Sequence, residues 1–464
     1  MAREQTEVAG PIDAFREFFS LRRDVLVLSI AMFAFSLGFQ MTSRFLPEYL
    51  VALGASGFTV GIFGTFGNVI SAVYPYPGGA ISDRIGSRYS LTLFGLVSTL
   101  GFLVWLLAPA VGTVSVGSFV IRPWLGVFVG LALAQAWKSF GLGASFAVVK
   151  QATDPSRLAA GFASTEVFRR SAFLAGPVLA AALIGLHPDF TVSFRYALAV
   201  AVVFGAVGTA VQHHLYDAGE DSIGGTFRGL ARIRRDLREM PESMRPLLLG
   251  DTLVRFGNGM VYVFFILVVT QFLEVGLDAT VSVAGFAYEI SLSPAALFGY
   301  LLGVEMLVAL VSMPIAARAA ERVGLKPVVG LGFLIYAVFP LVLINAPANA
   351  AAMVAVFAFS GLRFAGLPAH KALIVGPAER GVGGRVTGTY YLLRNTVVVP
   401  SAAVGGALWD GLRIPEAVLG VPIPGGGIEY WGGSPTVAFT VAAAVGSVGT
   451  GYFLLFGKEF EAYA

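Results

Sequence analysis

The sequence contains no cysteine among its 464 residues, and charged residues make up only 13% of it. The absence of cysteine excludes disulfide bonds, iron–sulfur clusters and thiolate zinc sites. Soluble globular proteins carry about 25% charged residues, so the low charge argues against a soluble enzyme. The sequence also lacks a Gly-x-x-x-x-Gly-Lys-Ser/Thr phosphate loop, a Gly-x-Ser-x-Gly elbow and a metal-ligand spacing among its four histidines. We therefore expect no cofactor, no metal and no enzymatic activity.

Long apolar stretches take the place of the missing charge. Hydrophobic residues make up 56% of the chain, and the mean hydropathy is +0.78. A helix needs about 20 apolar residues to cross a bilayer, and the sequence predicts twelve such spans. They run over residues 25–46, 57–77, 90–110, 123–148, 159–184, 190–211, 247–272, 295–316, 327–345, 350–374, 386–408 and 435–456.

The positive charges predict the orientation of these spans. With the N-terminus in the cytoplasm, twenty Lys and Arg residues fall on the cytoplasmic side and three, Arg122, Arg195 and Arg413, fall on the outer side. Cytoplasmic loops of membrane proteins carry such an excess. We therefore predict a multi-pass protein of the cell (plasma) membrane with both termini in the cytoplasm. Arginine greatly outnumbers lysine, which suits a prokaryotic source.

One long charged interval divides the chain into two halves. The predicted organisation is a cytoplasmic N-terminal segment 1–24, a six-helix half 25–212, a basic linker 213–246, a second six-helix half 247–456 and a cytoplasmic tail 457–464. The basic part of the linker either lies on an anionic membrane surface or is a solvated connection. The net charge of +3 is distributed by loop, which argues for membrane orientation and against a nucleic-acid partner.

Two loops at corresponding places in the halves share a motif. After the second span stands Gly79-Ala-Ile-Ser-Asp83-Arg84-Ile-Gly86-Ser-Arg88, and after the eighth span, 238 residues later, stands Glu321-Arg322-Val-Gly324-Leu-Lys326. Glycine tolerates positive φ, and an acid favours a helix N-terminus. The pattern predicts a tight cytoplasmic turn in each half.

The first motif resembles the signature of the major facilitator superfamily at Gly79, Asp83, Arg84, Gly86 and Arg88. In the second copy Ala317 replaces the leading glycine and Glu321 the aspartate, while Arg322 is kept. The resemblance implies an all-α polytopic membrane protein with twelve transmembrane helices in two six-helix halves related by a pseudo-two-fold repeat. It also implies secondary transport by alternating access, in which the loop braces the cytoplasmic ends in the outward-open state.

Charged residues inside the predicted spans are the candidates for substrate and proton binding. Such a residue costs roughly 2.5–3.5 kcal/mol on insertion scales, so it normally faces a cavity or a partner. Glu166 with Arg169 or Arg170, and Asp251 with Arg255, are spaced as helical ion pairs, which is the structural alternative to a binding role. Cations still exceed carboxylates, and this excess favours an anionic substrate.

The candidate residues fall into three groups. The substrate-binding candidates are Arg169, Arg394, Lys138, Arg363, Gln40, Asn68, Asn258 and Tyr390. The proton-coupling candidates are Glu166, Glu305 and Asp251, and the gating motif comprises Gly79, Asp83, Arg84, Gly86, Arg88, Glu321 and Arg322. Each uncharged polar residue has a simpler alternative role in an interhelical hydrogen bond.

Together these features predict a monomeric secondary transporter whose partners are the lipid bilayer, a small organic anion and protons. Coupling to protons and exchange against a counter-substrate are both open. A multidrug-type proton antiporter is one alternative, because Gly176-Pro177 in the fifth span resembles part of an antiporter motif. A non-transporting sensor or a lipid-handling protein on the same scaffold is the other, because a fold alone does not fix a function.

Overall fold

The computed structural model is a bundle of helices with short strands between some of them. It describes residues 23–74, 81, 84–116, 119–152, 158–216, 244–283, 286–375, 383–413, 417–418, 421–422, 427 and 429–459.

The helices before residue 217 are here called the N-terminal helices. They are α1 (Arg23–Ser43), α2 (Leu46–Ala52), α3 (Gly57–Val73), α4 (Ser87–Val111), α5 (Trp124–Ala152), α6 (Leu158–Ile184) and α7 (Phe190–Leu215).

The helices after residue 243 are the C-terminal helices, and several contain irregular turns. They are α8 (Arg245–Phe272), α9 (Pro294–Val323), α10 (Leu325–Ile344), α11 (Ala350–Ile374), α12 (Gly383–Val398), α13 (Ser401–Asp410) and α14 (Pro435–Phe456). A 3₁₀ turn interrupts α8 at Tyr262–Phe264 and α11 at Leu362–Phe364, and α8 ends in a π-helical turn at Val268–Phe272.

A helix lies at each of the twelve predicted apolar blocks, and the last-but-one block is split between α12 and α13. Within the described residues, seven helices are long and apolar enough to cross a membrane, namely α4, α7, α8, α9, α10, α11 and α14. Crossing by the other, shorter apolar stretches stays a prediction, as do the count of twelve and the division into segments at 213–246.

Within the described residues there are four antiparallel strand pairs, which follow α4, α8 and α13. Because successive helices of the bundle alternate in direction, we assign these pairs to one end, which we call the hairpin end. They are β1 (Val114–Val116) with β2 (Phe119–Ile121), β3 (Leu277–Val283) with β4 (Phe286–Leu292), β5 (Gly411–Arg413) with β8 (Glu429–Gly432), and β6 (Ala417–Val418) with β7 (Val421–Pro422). At the hairpin end, α3, α7, α9 and α11 begin at a residue whose side chain accepts a hydrogen bond from the first turn. These caps are Ser56, Asp189, Ser293 and Asn349, and they satisfy amide groups that the helix itself leaves free.

The two motif loops lie at the opposite end, which we call the motif end. Gly86 before α4 has φ 82° and ψ 162°, and Gly324 between α9 and α10 has φ 91° and ψ 163°. This region of backbone conformation is essentially open only to glycine, so the expected turn geometry is present in both copies. Arg84 is exposed, and Arg322 lies in the last turn of α9. Gly79 and Asp83 lie outside the described residues, and the bracing role of the motif stays a prediction.

The N- and C-terminal helices meet closely towards the hairpin end. There α3 packs on α13, and a Cβ atom built on Gly61 would lie 2.5 Å from the Ala402 carbonyl oxygen. In the same way α9 packs on α6, where a Cβ atom on Gly299 would lie 2.6 Å from the Pro177 carbonyl oxygen. Small residues let membrane helices approach this closely, so glycines set the separation of the two sets of helices.

Candidate functional site

Three adjoining cavities lie among the helices, and each is named here for what lines it. The arginine cavity, of about 320 Å³, lies between α3 and the C-terminal helices and contains Arg255 and Arg394. The Glu305 cavity, of about 220 Å³, lies between α1, α6 and the C-terminal helices. The aromatic pocket, of about 60 Å³, lies among N-terminal helices. The arginine cavity lies at the lower end of the size range of small-molecule sites, and the Glu305 cavity lies somewhat below that range.

Asp251 is the centre of a buried cluster beside the arginine cavity. Arg255 Nε donates to Asp251 Oδ1 at 3.2 Å, and Arg394 Nη1 donates to Oδ2 at 3.1 Å. The Tyr390 hydroxyl donates to the same Oδ2 at 3.0 Å, and His370 Nε2 lies 3.2 Å from it. The predicted Asp251–Arg255 helical pair is thus present, but Asp251 also holds a second arginine from a different helix.

The cluster leaves its arginines, and not its carboxylate, accessible to the cavity. The side chain of Asp251 is 0% exposed, whereas those of Arg255 and Arg394 are 21% and 15% exposed. Aromatic faces support both guanidinium groups, with Arg255 4.5 Å from the ring centre of Tyr336 and Arg394 4.7 Å from that of Tyr391. Arg394 also donates from Nε and Nη2 to Asn395 Oδ1, at 3.1 and 2.9 Å. The buried carboxylate thus fixes two guanidinium groups whose unused N–H groups can donate to an anion.

Glu305 is the centre of a second cluster, and this one joins the two sets of helices. The Arg363 guanidinium and the Ser360 hydroxyl, both from α11, donate to its carboxylate. Arg44, which follows α1, places Nη2 4.0 Å from Glu305 Oε2. The Arg44 guanidinium also lies 4.0 Å from the ring centre of Tyr262. Glu305 therefore receives one cation from each set of helices.

Arg363 is almost entirely enclosed, being 2% exposed. Its guanidinium carbon lies between 4.8 and 5.7 Å from the ring centres of Phe265, Tyr336, Phe339 and Phe364. Within the described part of the chain, its Nε and Nη1 have no hydrogen-bond partner. Aromatic faces attract such a cation, and here four of them enclose the Arg363 guanidinium next to Glu305.

Irregular helix turns bring these residues to the cavities. Tyr262 and Arg363 lie in the 3₁₀ turns of α8 and α11, and α12 ends just before Pro400, which cannot donate to a continuing helix. At that break the Asn68 side chain of α3 donates to the Val399 carbonyl at 3.5 Å. Interrupted helices commonly form the substrate sites of membrane transporters.

Positive charge is in excess around the two larger cavities. Among the described residues they are lined by Arg44, Arg255, Arg363 and Arg394, opposed by Glu305 on the wall and Asp251 behind it. The aromatic pocket adds Lys138, whose Nζ lies 4.4 Å from the ring centre of Phe39. The described surroundings of the cavities are therefore net positive.

A comparison of the chain with known families decides its identity. The sequence model of the Major Facilitator Superfamily matches residues 28–402, which is most of the chain. The chain belongs to the major facilitator superfamily. The sequence resemblance at the Gly86 motif is thereby confirmed, together with an all-α polytopic membrane fold of this family.

Relatives and solved structures agree with this assignment. An MFS-type transporter of Methanocaldococcus jannaschii is 20% identical over 84% of this chain and 89% of its own length. An MFS-type transporter of Mycobacterium tuberculosis is 27% identical over 42% of each chain.

Among solved structures, the nucleoside transporter NupG superposes with a TM-score of 0.68 at 11% identity, over 94% of this chain and 99% of that one. A bacterial homologue of the iron transporter ferroportin, in an inward-facing state, superposes with a TM-score of 0.67 at 10% identity, over 94% and 99%. At this level of identity the likeness establishes the fold of a membrane transporter and not its substrate.

The predicted site residues of this superfamily member fall into three groups in the structure. Some line the cavities, some lie behind the cavity wall, and the side chains of others lie outside the described part. Arg394, Arg363, Asn68 and Asn258 line the arginine cavity, Gln40 and Glu305 line the Glu305 cavity, and Lys138 lines the aromatic pocket. Tyr390 and Asp251 are fully buried behind the cavity wall, where they hold Arg394. Glu166 and Arg169 belong to α6, but their side chains lie outside the described part of the structure.

The sequence-based candidates omitted Arg44, Ser360 and His370, which the structure places in the clusters, and included Arg255 only as the helical partner of Asp251. Arg44 lies near the end of a span, where snorkelling to the membrane surface is the ordinary expectation. It follows Gln40 by four residues, which puts the two on one face, and this spacing was a usable signal. His370 follows the buried Arg363 by seven residues, or about two helical turns, but its contact with Asp251 depends on packing between α8 and α11.

A set of polar contacts closes the hairpin end. Glu48 on α2 accepts hydrogen bonds from the Thr270 hydroxyl at 2.6 Å and from Gln271 Nε2 at 3.0 Å, both in the π-helical turn of α8. Asp410 accepts from the Phe58 backbone amide at 3.2 Å. Burial raises the pKa of the Glu48 carboxyl, and the two hydrogen bonds oppose part of that rise. Each contact joins an N-terminal helix to a C-terminal one.

Proposed function

We propose that this protein is a secondary active transporter of a small organic anion that works by alternating access. The observation that carries the proposal is the pair of partly exposed guanidinium groups, Arg255 and Arg394, held at the cavity wall by the buried Asp251. Two cations fixed on one carboxylate leave a site that an anion neutralises. A carboxylate or phosphate group fits the forked donors of arginine better than other ligands do.

The position of the cavities supports alternating access. The arginine cavity and the Glu305 cavity lie between the N- and C-terminal helices, and the glycine contacts at Gly61 and Gly299 pack those helices tightly towards the hairpin end. A tight seal on one side of a central site is the arrangement that a rocking mechanism requires. We infer a state that is closed at the hairpin end, in which substrate exchange takes place from the motif end.

We infer from the positive charge of the predicted cytoplasmic loops that the hairpin end faces the outside of the cell. Because the protein is naturally free of cysteine, single cysteines report this orientation directly. An impermeant maleimide added to intact cells should label Ser56→Cys and should not label Ser222→Cys. Labelling of Ser222→Cys from outside would contradict the orientation.

We propose Glu305 as the proton carrier if transport is coupled to protons. Its carboxylate is held by Arg363 within the C-terminal helices and approached by Arg44 from the N-terminal ones. Protonation of Glu305 would release its attraction for Arg44, so the proton state and the separation of the two sets of helices depend on each other. Asp251 is held by several groups of the C-terminal helices alone, which suits a fixed structural carboxylate.

Transport in proteoliposomes tests the proposal. Purified protein should take up labelled organic anions, and Arg394→Gln should weaken anion binding by about 2–5 kcal/mol, or roughly 30-fold or more. Arg318→Gln is the matched control, because Arg318 is exposed on α9. Flux of lipophilic cations with no anion flux would favour the multidrug alternative. Ligand binding without any flux would favour a sensor.

A further inference from the structure

We infer that the transported anion is amphipathic, with its anionic group on the C-terminal arginines and a short apolar end in the aromatic pocket of the N-terminal helices. This inference rests on the proposed anion transport and specifies the class of the substrate. It comes from the order in which the three cavities join and from the chemistry of their walls.

The three cavities adjoin one another in a row, which we call the path. Tyr262 and Phe364 line both the arginine cavity and the Glu305 cavity. Gln40 and Phe173 line both the Glu305 cavity and the aromatic pocket. A side chain that borders two cavities stands between them, so each cavity adjoins the next. Movement of these four side chains would let a single ligand extend from the arginines to the aromatic pocket.

The walls change from polar to apolar along this path. The arginine cavity is lined by the amide groups of Asn68, Asn258 and Asn395 beside its guanidinium groups. Asn395 Oδ1 accepts from Arg394 and Asn68 Nδ2 donates to the Val399 carbonyl, which leaves the Asn395 amide nitrogen and the Asn68 amide oxygen for a ligand. The buried Asn258 Oδ1 has no hydrogen-bond partner among the described residues, so it can accept a hydrogen bond from a ligand. These amides suit a polar head with both donor and acceptor atoms.

The middle of the path is largely apolar apart from one ion pair. The Glu305 cavity is lined by Leu302, Met306, Met313 and Phe364 in addition to Arg44 and Glu305. Methionine side chains adapt to ligands of different shape. A purely hydrophilic anion would leave this apolar wall without a partner, whereas an apolar chain would bury it.

The far end accepts only a small apolar group. In the aromatic pocket Phe35 stacks on Trp137 with ring centres 4.6 Å apart, and both side chains are buried. Its volume of about 60 Å³ is well below the cavity of ~150 Å³ that holds benzene in another protein. A short alkyl end fits this space, and an aromatic ring does not.

Lys138 lies at this pocket with its ammonium over Phe39. The alternative to an apolar end is therefore a second anionic group on the ligand.

A chain-length series tests the inference on the wild-type protein. We expect the affinity of straight-chain carboxylates, measured by calorimetry from acetate to hexanoate, to rise about three- to fourfold for each added methylene that becomes buried. Dicarboxylates of the same length should bind more weakly than the monocarboxylates. Tighter dicarboxylate binding would assign Lys138 to a second anionic group and would overturn the apolar end.

Tryptophan quenching locates the apolar end. The carboxylate probe 4-bromobutyrate should quench fluorescence saturably in the wild type and in Trp431→Phe, whose tryptophan is exposed at the hairpin end. The saturable part should be lost in Trp137→Phe, which keeps a ring beside Phe35. The neutral 4-bromobutanol should give only unsaturable quenching, which controls for partition into lipid.

The failure of this inference and that of the proposed function give different results. If carboxylates bind with affinities that do not change with chain length, or if Trp137→Phe keeps the saturable quenching, the amphipathic substrate is wrong and anion transport stands. If no carboxylate or phosphate ester binds at all, anion transport itself is wrong.

Discussion

The two buried carboxylates of the C-terminal helices differ in where their cations come from. Asp251 holds the guanidinium groups of Arg255 in α8 and Arg394 in α12, accepts a hydrogen bond from the Tyr390 hydroxyl of α12, and lies 3.2 Å from His370 Nε2 of α11. Glu305 receives Arg363 from α11 and Arg44 from the N-terminal side. The Asp251 cluster can therefore move as one body, whereas the Glu305 cluster changes when the two sets of helices separate. The first is suited to holding binding groups in place and the second to sensing the conformational state.

Removal of Asp251 should have the largest effect, because it leaves two arginines without their common partner. We expect Asp251→Ala to lower the free energy of unfolding by about 3–5 kcal/mol, as breaking a buried ion pair does. Thermal unfolding in detergent measures this. Asp278→Ala is the matched control, since Asp278 is exposed on β3.

The same comparison predicts how Asp251 variants can be rescued. In Asp251→Asn combined with Arg255→Gln, the excess buried charge is reduced, and part of the lost stability should return. A wild-type melting temperature in Asp251→Ala would contradict the view that this carboxylate organises the cluster.

Overpacking the contact between α3 and α13 should impair transport without disturbing anion binding at the Asp251 cluster. Gly61→Leu places a side chain against the Ala402 carbonyl and Gly406, and such overpacking typically costs about 1–3 kcal/mol. Because the contact exists only when the hairpin end is closed, the substitution should raise the free energy of that closed state. Transport should fall strongly, while the Asp251 cluster stays intact and equilibrium anion binding persists.

Gly451→Leu is the control for this variant, because a Cβ atom at Gly451 meets nothing within 4 Å. Proteoliposome flux and calorimetry on the same preparations separate turnover from binding. Equal loss of binding and transport in Gly61→Leu would mean that the glycine contact shapes the site itself.

Neutralising Glu305 should affect coupling more than binding. Glu305→Gln keeps an acceptor for Ser360 and weakens the attraction for Arg44. If Glu305 carries the proton, uptake driven by a pH gradient should be lost while exchange of internal against external anion continues. Arg394→Lys, which should retain partial binding, is the control for the site. If Glu305→Gln loses both activities, the role of Glu305 is structural.

The sequence predicted the helices and the motif turns better than it predicted the partners of the charged residues. Apolar blocks, Gly86 and Gly324 are local signals, and each matches the structure. The Asp251–Arg255 pair is local as well, being one helical turn apart. The contact of Asp251 with Arg394 joins residues 143 positions apart, and no local pattern encodes it.

The rotation of each helix about its axis was the missing information. In a membrane protein both the lipid-facing and the buried faces of a helix are apolar, so hydrophobic periodicity does not reveal which face points inward. Arg44 illustrates this, because its position near the end of a span predicts a surface residue, whereas the structure places it beside Glu305. A separate ambiguity is the stretch 274–294, which is apolar enough to resemble a span, yet it contains the β3–β4 hairpin.

The smallest expected effect concerns Glu48, which lies outside the predicted spans. Burial raises the pKa of its carboxyl in the closed hairpin end, so the closed state binds the proton more tightly than a state in which Glu48 is exposed to water. Lowering the pH through this raised pKa should therefore stabilise the closed hairpin end, and raising the pH should remove that stabilisation. Glu48→Gln mimics the protonated form and keeps an acceptor for Thr270 and Gln271, so it should favour closure by about 1 kcal/mol and abolish the pH dependence.

Spin labels on Ser115→Cys and Ser282→Cys, one in β1 and one in β3, measure the separation across the hairpin end without interference from native cysteines. A pH-dependent distance that persists unchanged in Glu48→Gln would assign the dependence to another group and leave the Arg44–Glu305 contact as the main link between the two sets of helices.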